Sequence, residues 1–143
     1  MLHAMSKTVL RYEEEEFSFH LIGISTTYPD FRLCGDINKA LQISLARDID
    51  YTIRNPKTDD EINFPFFSFT NEQDDSYHVI GNKSERGLLI PEQKALDYFL
   101  LIKQGQSMIN PADIIRHLKS MKPIQAAFVL DPQKLKSKEN LLF

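Results

Sequence analysis

Glu92 and Asp97 are the two carboxylates that flank a short polar break inside the chain's most apolar window, Leu88 to Lys103. A hydrolytic acid and base need both side chains converging on one pocket, in environments that push their pKa values apart. On a continuous helix, positions five apart diverge by about 140° at 3.6 residues per turn, so only a bend brings these two together. Pro91 gives the chain a reason to bend, because its ring fixes φ and it has no amide to donate. It suits the first turn of a short helix, where Glu92 meets the positive end of the dipole and Asp97 accepts backbone amides at the change of direction. The favoured reading is therefore a structural corner. With Tyr98, the same acids form the set that a small-ligand site or an enzyme would use. No residue is assigned as catalytic.

The other reactive side chains are scattered. Histidines stand at 3, 20, 78 and 117, no two of them at ligand spacing on one element. A zinc site wants three or four donors at about 2 Å. His20 and His78 can face each other across a sheet, but they lack a third donor, so no metal site is expected. His117 follows Asp113 by about one helical turn, the spacing of a solvent-facing pair. Cys34 falls on an apolar helical stripe and reads as packed and inert. No glycine-rich phosphate loop or nucleophile elbow is present, so acyl transfer and nucleotide binding have no foothold and no cofactor is expected.

Phe64, Phe66, Phe67 and Phe69 crowd one short segment. Such rings stack on bases in RNA-binding folds, yet stacking platforms are bordered by Lys and Arg. This segment lies between Asp59-Asp60-Glu61 and Glu72, Asp74 and Asp75. Core packing is the better reading, with Phe64 and Phe66 on one face of a strand and Phe67 and Phe69 on the other. One pair should be buried, and the other could lie under a helix, a loop or a second subunit. Leu141, Leu142 and Phe143 are apolar where termini are usually polar, so that tail either tucks back or engages a partner. These seven residues are the candidate interface.

With 143 residues and one cysteine, the chain needs no staple and has no intramolecular disulfide to form, which fits a reducing cytosol. Its beginning has no apolar core of signal-peptide length, and its longest apolar stretch is too short for a membrane span. The expectation is a cytoplasmic protein that does not enter a membrane. A net charge of -3 disfavours bulk attraction to nucleic acid. Charge is nonetheless polarised, acidic at Glu13 to Glu16 and basic at Arg116, Lys119, Lys122, Lys134, Lys136 and Lys138. The bland reading of that polarity is a solvated helix face and a tail.

Phe17 to Ser25 is apolar on both faces and predicts a central strand. Thr27 and Asp30 have capping-box spacing before a helix from Tyr28 to Leu41, its stripe formed by Phe31, Cys34, Ile37 and Leu41. Ile49, Tyr51 and Ile53 alternate as a half-exposed strand. Phe64 to Thr70 and Tyr77 to Gly81 predict an antiparallel pair, with Pro65 at an edge or strand start. Asn110-Pro111 caps a second helix carrying Ile114, Ile115, Leu118 and Met121. Ile124 to Leu130 is apolar enough to predict another buried strand. Strand runs not regularly interleaved with helices predict an α+β single domain over 17–143, a mainly antiparallel sheet of five to six strands with two helices on one face. Residues 1–16 read as an extension, flexible in part.

Ile90-Pro91-Glu92, three variable positions, then Leu96-Asp97-Tyr98 resemble the signature of the bacterial IPExxxVDY family, with Leu96 where the family name has valine. The similarity extends to Leu21-Ile22-Gly23-Ile24, Ile37-Asn38-Lys39, Asn82-Lys83 and Lys136 to Phe143. The resemblance implies a small cytosolic protein without an assigned activity, and it carries no catalytic residue. The leading expectation is a non-enzymatic interaction or accessory module whose partner is another protein or a second copy, as a homodimer. The alternatives are a ligand-binding domain or enzyme at Glu92, Asp97 and Tyr98, and an RNA-associated module using the basic C-terminal part.

Overall fold

A strand that is apolar on both faces is stable only between two neighbours and two covering layers. In the computed structural model, which describes residues 15–143, β1 (His20–Thr26) has that place. It pairs antiparallel with β9 (Tyr98–Lys103) on one side and β10 (Ile124–Leu130) on the other. The sheet continues from β9 through β6 (Ser76–Gly81) and β5 (Phe66–Thr70) to β2 (Ala46–Arg47), all antiparallel, giving six strands in the order β10-β1-β9-β6-β5-β2. The sequence extension over 1–16 lies outside the described residues except for Glu15 and Glu16, which are helical.

Alternation sends Ile22 and Ile24 of β1 to one face and Leu21 to the other. The first face carries α1 (Asp30–Leu41) and α2 (Pro111–Lys119), which bury Leu33, Cys34, Ile37, Ile114 and Leu118 against Leu100, Ile102, Val79 and Phe67. The second face is covered without a long helix. Leu21, Ile80, Phe99 and Leu101 meet Ile62 and Phe64 from a hairpin of β3 (Tyr51–Arg54) and β4 (Glu61–Phe64), together with Leu89, Ile90, Leu96, Leu135 and Leu141. A smaller ribbon, β7 (Lys83–Ser84) with β8 (Gly87–Leu88), leads into the corner at Pro91. The protein is thus an α+β domain with both α-helices on one face of a mainly antiparallel sheet.

Five details differ from the sequence expectation. The first helix starts at Asp30, and the Thr27–Asp30 capping box does not form: the N-cap is Pro29, and Thr26 Oγ1 accepts the Tyr28 amide instead. Its stripe is turned so that Leu33 is buried and Phe31 is 69% exposed. Ile49 is exposed and precedes β3. The phenylalanine segment is two strands, because Pro65 has no amide to continue a ladder and breaks it between Phe64 and Phe66. Finally, the apolar run Ile124 to Leu130 is an edge strand. Only Ile124 and Ala127 are buried, while Phe128 is 42% and Val129 53% exposed.

Candidate functional site

Asn82 organises the corner. It follows β6 directly, is fully buried, and makes hydrogen bonds with both ends of its side-chain amide. Nδ2 donates to the carbonyls of Gln93 (2.9 Å) and Leu96 (2.8 Å), and Oδ1 accepts the Ile90 amide (2.8 Å). Its own backbone amide donates to Asp97 O and its carbonyl accepts from Leu89, each at 2.9 Å. A short 3-10 turn, Pro91–Gln93, starts at the proline. Such a turn buries backbone groups that no regular ladder can satisfy, and one amide side chain with two donors and an acceptor serves them.

The two acids leave this corner toward different partners. Asp97 Oδ2 accepts the Thr26 amide at 2.9 Å, and its Oδ1 accepts Lys83 Nζ at 2.8 Å. Its backbone amide also donates to Ile24 O at 2.8 Å, so this residue ties the end of β1 to the start of β9. Glu92 instead clamps the C-terminal segment, accepting the Ser137 amide at 2.7 Å and the Ser137 hydroxyl at 2.8 Å. Burial alone would raise the Glu92 carboxyl, but the Ser137 amide and hydroxyl outweigh it and hold it below the usual range. Tyr98 donates its hydroxyl to Tyr28 O at 3.0 Å, and burial, aided by Asp30 and Asp97, pushes its phenol up to about 12. Glu92, Asp97 and Tyr98 each spend their polar atoms on the chain itself.

A second polar centre was missed at the sequence level. Asp75 is fully buried and accepts the Gly105 amide (2.6 Å), the Ser107 amide (3.3 Å) and Asn71 Nδ2 (3.0 Å). The Ser107 hydroxyl leads the interactions that keep its carboxyl below the usual range against the opposing effect of burial. Gly105 must be glycine here: a Cβ would lie 2.4 Å from Asp74 O, a backbone atom. The signals were an acidic loop and a lone glycine, and neither alone implies a partner.

Of the candidate interface residues, Phe64, Phe67 and Leu141 are buried in the core, so they present no surface to a partner or to a base. Phe66 and Phe69 are half-buried. The tail tucks back. Phe143 sets its ring 5.0 Å from His78, 5.1 Å from Tyr51 and 5.2 Å from Phe66, with Lys103 Nζ 4.6 Å above it. Burial and the neighbouring Lys103 charge pull the His78 imidazole down to about 4, and Ser68 Oγ contacts its Nδ1 at 2.9 Å. An open groove of about 690 Å³ lies beside this cluster, lined in part by Glu16, His20, Lys103, Gln104 and Phe143.

Asp113 pairs with Arg116, not with His117. Cys34 is buried and desolvation pushes its thiol up to about 12, which keeps it from acting as a thiolate. Among the described residues, no three His, Cys, Asp or Glu side chains come together as metal ligands, and no helix is long and apolar enough to cross a membrane. The surface that sequence reasoning missed is the outer edge of β10, with Phe128 and Val129. The absence of charge in Ile124 to Leu130 signalled burial, but the strand lies at the edge of the sheet.

Searches of family models, curated proteins and solved structures find no match to this chain.

Proposed function

We propose that this chain is a non-enzymatic protein-interaction module of the cytosol, related to the bacterial IPExxxVDY proteins. The observation that carries this reading is the employment of the motif's acids. Glu92 holds the Ser137 segment and Asp97 holds Thr26 and Lys83, so the two acids are turned to different partners within the chain instead of sharing one pocket. What the fold leaves unsatisfied is apolar surface on its longest outer strand. The residues behind the resemblance, Asn82-Lys83 and Ile90 to Asp97, also form one hydrogen-bonded unit, which gives their spacing a mechanical reason. The reduced, buried Cys34 suits the cytosolic part of the proposal.

Affinity capture from native cells, read by protein mass spectrometry alongside a small-molecule screen of the same eluate, tests this reading. The expected result is a protein bound in stoichiometric amount and no retained metabolite. A metabolite retained in stoichiometric amount without any bound protein overturns it in favour of a ligand-binding domain, for which the groove beside His20 and Lys103 offers the space. Retained RNA that is released steeply by salt overturns it in favour of the nucleic-acid alternative.

A further inference from the structure

The two edges of the sheet are built differently. β2 is two residues long, carries Arg47 and is followed at once by Asp48, the devices by which proteins blunt an edge. β10 is seven residues long, contains neither a charge nor a proline, and is interrupted only by one bulge near its start, between Ile124 and Ala126. Among the described residues, no strand pairs with its outer side. An exposed, long, uncharged edge is a template for another strand unless something occupies it.

Resting on the interaction reading above, we infer that β10 pairs antiparallel with β10 of a second copy, joining two six-stranded sheets across a two-fold axis. The ends of the strand argue for a second copy as occupant. Lys122 stands just before β10 and Asp131 just after it, both exposed. In an antiparallel pairing centred on Ala127, a regular ladder would set Lys122 opposite the other copy's Pro132. However, β10 carries one extra residue in a bulge between Ile124 and Ala126, which moves each Lys122 on to the other copy's Asp131, so both ends close with opposite charges. The faces match as well. Phe128 pairs with Gly23 within the protomer and lies on the side of the sheet away from the helices, as does Ala126 two positions away. The same register sets Phe128 of one copy opposite Ala126 of the other, large against small. A strand edge that is complementary to itself about its own centre is what a two-fold contact requires.

The test is sedimentation of the full-length purified protein over a dilution series. The expected result is a reversible dimer of twice the 16.6 kDa chain mass. Val129→Lys should sediment as a monomer with unchanged circular dichroism. Charge reversal gives the sharper discrimination: Lys122→Glu alone and Asp131→Lys alone should each weaken the dimer about tenfold, and mixing the two variants should restore it as a heterodimer. A monomer at every concentration, or a dimer indifferent to Val129→Lys and to both reversals, overturns the inference. So does a monomer whose β10 amides are protected from hydrogen exchange, which would mean that another segment of the chain covers the edge. A monomer that still captures a protein partner from cells defeats this contact alone, while the interaction reading stands.

Discussion

Replacing Asn82 by alanine isolates what the corner is worth. The substitution removes three hydrogen bonds, but Gln93 O keeps a partner in the Leu96 amide, so two buried backbone groups, the Ile90 amide and the Leu96 carbonyl, lose theirs. Each orphaned group costs about 1–3 kcal/mol, and the small cavity adds to that. The expected loss is about 4 kcal/mol, which for a chain of this size lowers the melting temperature by about 10–15 °C. With no tryptophan in the chain, urea unfolding followed by circular dichroism is the direct assay. Glu92→Ala is the comparison, because its bonds to Ser137 are exposed and their loss should cost only about 1 kcal/mol. If Asn82→Ala costs under about 1 kcal/mol, or no more than Glu92→Ala, the corner does not depend on that amide and the reasoning fails.

The buried Asp75 carboxylate, held below its usual range, contributes stability that is present above its unfolded value of 3.8 and lost as pH falls through the lower folded value. Asp75→Asn should therefore flatten the loss of stability in that acid window, and equal acid sensitivity in both proteins would argue against it. His78 works in the same direction for a different reason. Its imidazole is pulled from 6.5 down to about 4, so the unfolded chain binds the proton first and stability falls as pH drops across that interval. His78→Phe should remove this component, as seen in urea midpoints measured at pH values spanning the window. Cys34, with its thiol pushed up and its side chain buried, should react with a thiol reagent only as fast as the structure opens. Labelling at the rate of an exposed cysteine would show that α1 does not pack as described.

The α+β class and the placing of β1 between two neighbours, though next to the edge and not at the centre, were legible because they depend on period and apolar content, which a sequence carries directly. Asn110-Pro111 was equally plain: Asn110 Oδ1 accepts the Ala112 amide at 3.0 Å. The first helix was less legible. Thr27 and Asp30 have the right spacing for a capping box, but Pro29 takes the N-cap and Thr26 uses its hydroxyl on Tyr28. Long-range polar contacts were invisible. Nothing in a linear reading brings Glu92 to Ser137 or Asp75 to Gly105, because such bonds depend on how loops cross. Phe128 and Val129 were hidden for another reason: an apolar strand at the edge of a sheet has the same composition as one at its centre.

The strand order also dictates when the sheet can form. β5 and β6 are joined by a short loop and can pair early, whereas β1 pairs with residues 98–102 and 124–130. Because closing long loops is slow, β1 must wait for partners from far along the sequence. Until they arrive, Leu21, Ile22 and Ile24 stand open to water on both sides of an unpaired ribbon. Among the described strands, the earliest in the chain is thus among the last to be sheltered, and an apolar ribbon open for that interval is prone to wrong contacts.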